Sequence, residues 1–120
     1  MTRLFATVAL LSIAASASAA PGGLIATLQV GDYACELPGD AAGPAGIRQP
    51  QHDFAVINAT SYVTIAGRGT YLVTGDLVQM TSGPKKGERF IKLSANFLRA
   101  LDASGKQTTL RCVRQVVNNS

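Results

Sequence analysis

The stretch Gly69 to Gly87, GTYLVTGDLVQMTSGPKKG, leaves the chain the fewest options, because it spells out a β-hairpin with its turn and its exit loop. Thr70 to Thr74 and Leu77 to Ser82 are rich in β-branched and aromatic residues. Gly75-Asp76 between them is a two-residue pair that supplies the positive φ of a tight hairpin turn. That turn predicts Thr74 opposite Leu77, Val73 opposite Val78, Leu72 opposite Gln79 and Tyr71 opposite Met80, with Tyr71, Val73, Val78 and Met80 on the core face. A lone hairpin is marginal in water, so further strands must cover its apolar side.

The N-terminus has the pattern of a secretory signal. Arg3 precedes an uncharged, mostly apolar run from Leu4 to Ala15, followed by the small residues Ala15-Ser16-Ala17-Ser18-Ala19-Ala20. The expected cleavage follows Ala19, removing residues 1–19 and leaving 20–120 as a single β-domain. The apolar run is shorter than the ~20 residues a membrane-spanning helix needs, and no Cys follows it to carry a lipid. A periplasmic or secreted location is expected, without integral membrane insertion.

About a hundred residues then remain, enough for one modest core. The two cysteines, Cys35 and Cys112, lie near opposite ends of that span and are expected to form a disulfide in an oxidising compartment. A metal or redox role would need a CxxC pair or nearby His ligands, and neither is present.

Along the mature chain, Leu24 to Val30 is largely apolar, and Tyr33, Cys35 and Leu37 alternate with Ala34 and Glu36 as in a half-buried strand. Pro38 to Asp53 has no periodic pattern, contains three Pro, three Gly and the single His, and reads as a long loop. Phe54 to Ile65 is an extended β-prone run with room for a bend at Asn58 to Ser61, and Ala66 to Gly69 reads as a turn. Arg89 to Leu93 is a short strand. Phe97 to Asp102 fits strand or helix by pattern. Strand is preferred because Ser104-Gly105 is a second hairpin pair, in a register that places Phe97, Leu101, Leu110 and Cys112 on one face with Arg99.

A bond from Cys35 to Cys112 clips the first cysteine-bearing strand to the last, and that adjacency closes a barrel. The expected fold is all-β: a small antiparallel up-and-down barrel or strongly curved sheet of about seven to eight strands with one disulfide. Its strands are shorter than the ~9 to 11 residues of a membrane barrel, and Arg99, Arg111 and Arg114 interrupt any lipid-facing band. Asn118 to Ser120 reads as a frayed end.

Catalytic chemistry finds little to work with. His52 is followed by Asp53, but sequence neighbours do not form an acid-base dyad, and no nucleophile motif is present. The seven acidic residues are scattered singly, without an EF-hand or paired His. No catalytic residue, metal or cofactor is expected.

Charge is more informative. From residue 20 to Pro84 there are two basic residues against five acidic, whereas from Lys85 onward there are eight basic against two acidic. A cationic half steers binding toward anionic partners, an envelope polymer or an acidic protein cleft. The same residues on outer pleats also keep an exported barrel soluble and guard its edges. Export and the lack of exposed aromatics among the basic residues argue against nucleic acid.

Two resemblances follow from these residues. Gly31-Asp32-Tyr33-Ala34-Cys35 with Pro38-Gly39, Gly69 to Asp76 with Thr81-Ser82-Gly83-Pro84 and Gly87, and Leu110-Arg111-Cys112 resemble an uncharacterised family of small exported proteobacterial proteins. The layout, with Tyr33-Ala34-Cys35 and a late Cys112, is also similar to MliC-like C-type lysozyme inhibitors of the bacterial envelope. That resemblance implies a Ser-bearing loop, here Ser82 to Gly87, with Lys85 or Lys86 facing the lysozyme carboxylates. The Ser-Gly-x-Gly-x-x-Tyr pattern of that family is not reproduced, because Pro84 follows Gly83 and no Tyr follows. The reading is thus a monomeric, non-enzymatic binding module, with Ser82, Lys85, Lys86, Arg89, Lys92 and the Pro38 to Asp53 loop as contact surfaces. Lysozyme inhibition, carriage of a small apolar ligand and a purely structural envelope role stand as alternatives.

Overall fold

The computed structural model describes residues 24–39 and 46–116. Residues 1–23, which include the expected signal segment, and 117–120 lie outside the described residues, as do 40–45 of the Pro-rich stretch.

Ten strands are present among the described residues: β1 Ile25–Ala26, β2 Gly31–Pro38, β3 Gly46–Arg48, β4 Phe54–Val56, β5 Ser61–Thr64, β6 Gly67–Thr74, β7 Leu77–Met80, β8 Arg89–Ser94, β9 Phe97–Leu101 and β10 Gln107–Arg114. Strands β4 to β10 each pair with the next, β7 joins β6, and β2 lies between β10 and β4. The result is a closed, eight-stranded antiparallel barrel with β1 added to β6 and β3 added to β2. The first barrel strand therefore neighbours the last, and Cys35 sits directly opposite Cys112 and is bonded to it.

The 69–87 hairpin has the expected register, from Thr74↔Leu77 to Tyr71↔Met80. Gly75 takes φ +60°, the left-handed first position of a type II′ turn. Its inner face, Tyr71, Val73, Val78 and Met80, is buried. Tyr33, Phe54, Tyr62, Phe90 and Leu98 complete the filling, with the Phe54 ring stacked on Tyr33 at 5.1 Å and edge-on to Tyr62 at 6.3 Å.

The sequence contains three tyrosines, and each places its ring in the barrel while its hydroxyl ties down a segment at one end. At the end carrying the β6–β7 turn, Tyr71 Oη donates to Asn58 O (2.8 Å) and accepts from Leu28 N (3.3 Å), while Tyr33 Oη donates to Gln29 O (2.8 Å). Leu28 is buried there as a stopper. At the opposite end Tyr62 Oη donates to Ser82 O (2.7 Å) and accepts from Lys85 N (2.9 Å), holding the β7–β8 loop. Buried phenols satisfied in this way cost little and fix the segments they touch. Burial also pushes the Tyr33 and Tyr71 hydroxyls above the usual phenol range.

Three local expectations are corrected and a fourth is sharpened. The bend allowed for at Asn58 to Ser61 within the Phe54 to Ile65 run is a full reversal: the Asn58 side chain accepts from Thr60 N (2.9 Å), and β4 pairs with β5. The turn assigned to Ala66 to Gly69 comes earlier, at Ile65-Ala66, and Gly67 already belongs to β6. The Pro38 to Asp53 stretch is not wholly loop: β3 pairs with the far end of β2, and Pro50–His52 forms a 3-10 turn. That turn swings the chain past Cys35, whose N–H is taken by Asp53 Oδ1 (2.7 Å) and whose carbonyl accepts from Gln49 N (2.8 Å).

The remaining correction concerns β9 and β10. Their connection is a three-residue loop, Ala103-Ser104-Gly105, closed by Asp102 N donating to Lys106 O (2.8 Å), with Gly105 at φ +85°. The Asp102 carboxylate accepts from Ser104 N, Ser104 Oγ and Lys106 N. A register shift follows between Gln107 and Arg111, so Cys112 opposes Leu98 instead of Phe97. One residue of slip exchanges the two faces of a strand, and it is Leu98 that enters the core while Phe97, Arg99 and Leu101 lie outside.

Candidate functional site

The loop from Thr81 to Glu88 folds back across the barrel end. Met80 N donates to Glu88 O and Gly87 N to Met80 O, both at 2.9 Å, so the β7–β8 ladder closes beneath it. Gly83 (φ +84°) rests against Gly69 and the Arg68 carbonyl so closely that a Cβ on either glycine collides with the opposing chain. Two close-packed glycines thus let the loop lie flat.

The structure separates the residues nominated from the sequence. Ser82 is half-buried and tied to β6: its hydroxyl lies 2.7 Å from Thr70 Oγ1 and accepts from Thr70 N at 3.0 Å. Lys85, expected as a surface cation, is 5% exposed. Its Nζ donates to His52 O (3.0 Å), pairs with Glu88 Oε1 (3.1 Å) and lies 5.6 Å and 6.0 Å from the centroids of Phe54 and Phe90. The loop's flat path aims this side chain into the barrel mouth, where aromatic faces and a carbonyl replace part of its hydration.

Lys86 is exposed and points to solvent beside Arg89. These two line a small groove of about 250 Å³ with Gln79, Met80, Thr81 and Glu88. Arg89 is held by the β9–β10 loop, its Nη2 donating to Asp102 O (3.1 Å) and Ala103 O (3.2 Å). Lys92 lies toward the other end of β8, with its backbone N–H on Asp76 O (2.7 Å) in the β6–β7 turn. Of the five nominated residues, Lys86 and Arg89 come together on the surface, Ser82 and Lys85 are built into the loop, and Lys92 is apart.

A larger groove of about 720 Å³, unmarked by any sequence motif, lies on the outside of β10, β2, β4 and β5. Ala34 and Ala55 form its floor, with Val63, Ile65 and Val113 beside them. Three of its four charged lining residues are held in ion pairs, Arg48 Nη2 with Asp53 Oδ2 at 2.8 Å and Glu36 Oε1 with Arg111 Nε of β10 at 2.9 Å, and Asp32 lines it as well. The signal in the sequence was two alanines on outward pleats, which is too common a pattern to single out. His52 has no carboxylate orienting its ring from the next residue, because Asp53 directs its two oxygens to Cys35 N and Arg48.

Comparisons with protein families, with curated proteins and with solved structures gave no match for this chain.

Proposed function

We propose that this chain is an exported, non-enzymatic binding module that engages an anionic envelope partner through cations on the outside of the barrel, with Lys86 at the β7–β8 loop as the leading contact. The observation that carries this reading is the filled and stapled interior. Aromatic and aliphatic side chains occupy the barrel, Leu28 stops one end, and the Lys85 loop covers the other. That filling supports recognition on the exterior, where basic residues of the second half of the chain lie. A carrier of apolar ligands has no comparable support, since a short barrel filled by its own side chains leaves no room. Insertion into a lysozyme cleft has to rely on Lys86, because Lys85 is already occupied inside the fold.

The test is capture by the oxidised, immobilised protein of C-type lysozyme, polyglutamate and an acidic polysaccharide at low and moderate salt. Lys86→Glu is compared with the parent. Salt-sensitive capture lost in the variant supports the reading, since exposed electrostatic contacts weaken as salt rises. Equal capture by both proteins, or no capture at either salt concentration, overturns it.

A further inference from the structure

The outer wall of β8, β9 and β10 sets two arginines side by side, of which Arg111 is paired with Glu36 and Arg99 is in none of the ion pairs among the described residues. Arg99 stands directly opposite Arg111 across the β9–β10 pair, and opposite Ile91 on β8. Like charges in directly opposed strand positions are unfavourable unless a counter-charge is near. The nearest acid in that lateral row, Glu36, accepts from Arg111 Nε. Among the described residues the ion pairs are Arg48–Asp53, Lys85–Glu88 and Arg111–Glu36, and Arg99 takes part in none. Its Nε is buried without a hydrogen-bond partner, and its guanidinium carbon lies 5.7 Å from the Phe97 ring centroid. The guanidinium thus lies over an aromatic face, with Ile91 on one flank and Arg111 on the other, and its charge is left for whatever meets the wall.

We infer that this wall is a second contact surface, reading a carboxylate carried by an extended peptide segment, with Arg99 as the carboxylate-binding residue. The choice of a peptide comes from spacing. Phe97, Arg99 and Leu101 share the outer face of β9 at every second residue, each half-buried. An extended segment repeats its side chains on one face at the same interval, about 7 Å. An apolar-x-acidic-x-apolar segment laid along β9 therefore sets its carboxylate on Arg99 and its apolar side chains on Phe97 and Leu101. The inference rests on the binding-module reading only for the sign of the partner's charge, and it involves neither Lys86 nor the loop.

The probes are an acetylated, amidated Leu-Thr-Glu-Thr-Leu peptide, its Gln counterpart and inorganic phosphate. Each is titrated into purified oxidised protein while the arginine side-chain Nε–H resonances are followed by NMR. The Glu peptide is expected to shift the Arg99 signal in a saturable manner, with the Gln peptide binding at least ~10-fold more weakly, the scale of one charge-assisted hydrogen bond. Arg99→Gln abolishes the discrimination between peptides, Arg99→Lys retains part of it, and Lys86→Gln leaves it intact. Equal response to both peptides, or phosphate matching the Glu peptide at equal concentration, overturns the inference. The peptide comparison on the parent protein needs no variant to fold. Loss of polymer capture in Lys86→Glu with intact peptide discrimination identifies two separate contacts; loss of capture in that variant with no discrimination between the peptides overturns the inference and leaves the loop reading standing alone.

Discussion

Replacing Lys85 tests whether the β7–β8 loop is fastened from inside. Truncation to Ala removes three buried methylenes, about 2.4 kcal/mol at about 0.8 per group. It also deletes the charge-assisted hydrogen bond to His52 O, worth about 1.5–3 kcal/mol. Relief of the cost of burying an ammonium offsets part of this, and Glu88, whose side chain is 41% exposed, regains water when its partner is lost. The net expectation for Lys85→Ala is a loss of about 3 kcal/mol. Lys85→Met keeps the apolar stem beside Phe54 and Phe90 and leaves chiefly the His52 carbonyl unpaired, for a loss of about 1 kcal/mol. Lys85→Glu sets a carboxylate against that carbonyl and Glu88 and is the most damaging, at about 3–5 kcal/mol. Urea denaturation of the oxidised proteins ranks the variants, and thermal melts lower Tm by about 4–8 °C per kcal/mol for a domain of this size. Lys86→Glu is the exposed control and stays within about 0.5 kcal/mol of the parent. If Lys85→Ala also falls within that margin, the lysine does not fasten the loop and the assignment of Lys86 as the available cation loses its basis. A double Lys85→Glu/Lys86→Glu variant is uninformative about binding, because the first substitution damages the fold.

Three further outcomes are expected. Gly83→Ala forces an L side chain at φ +84° into the Gly69 backbone and lowers the stability read from urea denaturation by more than the ~1–2 kcal/mol of the left-handed conformation alone, whereas Gly105→Ala, at φ +85° with open space around it, shows only that smaller loss. Removing the disulfide by Cys35→Ala/Cys112→Ala frees a connection spanning 77 residues and costs about 4 kcal/mol in the chain-entropy account, read as a lower midpoint under non-reducing conditions. The bonds from Ser104 and Lys106 hold the Asp102 carboxyl below its ordinary value of 3.8. A depressed folded value means that this carboxylate's stabilising contribution is complete above the unfolded value and is lost as pH falls through the folded one. The midpoint difference between parent and Asp102→Ala should therefore shrink on acidification below 3.8, and an undiminished difference at the acid end refutes the role of those bonds.

The sequence was most legible where turn chemistry and alternation agreed. Gly75-Asp76 permitted a two-residue turn, and the alternation on either side then admitted a single register. Cys35 and Cys112 were legible in the same way, each on an inward pleat of a strand at one edge of the meander. Ser104-Gly105 misled because Asp102 captures three donors and enlarges the loop by one residue, a side-chain effect that a dipeptide rule does not contain. The burial of Lys85 was hidden for a different reason. It depends on Gly83 lying against Gly69 and on Tyr62 reaching the loop, contacts between positions far apart in the chain. Arg99 was visible as a cation, but its opposition to Arg111 follows from the same register shift that the turn concealed.

The seam between β2 and β10 brings the two extremities of the described chain to one rim. Leu24 accepts from Gly75 N in the β6–β7 turn, and Gln115 N bonds to Asp32 O at the start of β2. Lys86 belongs to the connection at the far rim. The described chain consequently begins and ends at one rim and carries the β7–β8 loop at the other: a surface or fusion partner joined at Leu24 or Val116 leaves the loop directed away from the attachment. Reversing that geometry takes an attachment point in the β7–β8 or β9–β10 connection, so the same protein immobilised in the two orientations reports which rim the partner requires.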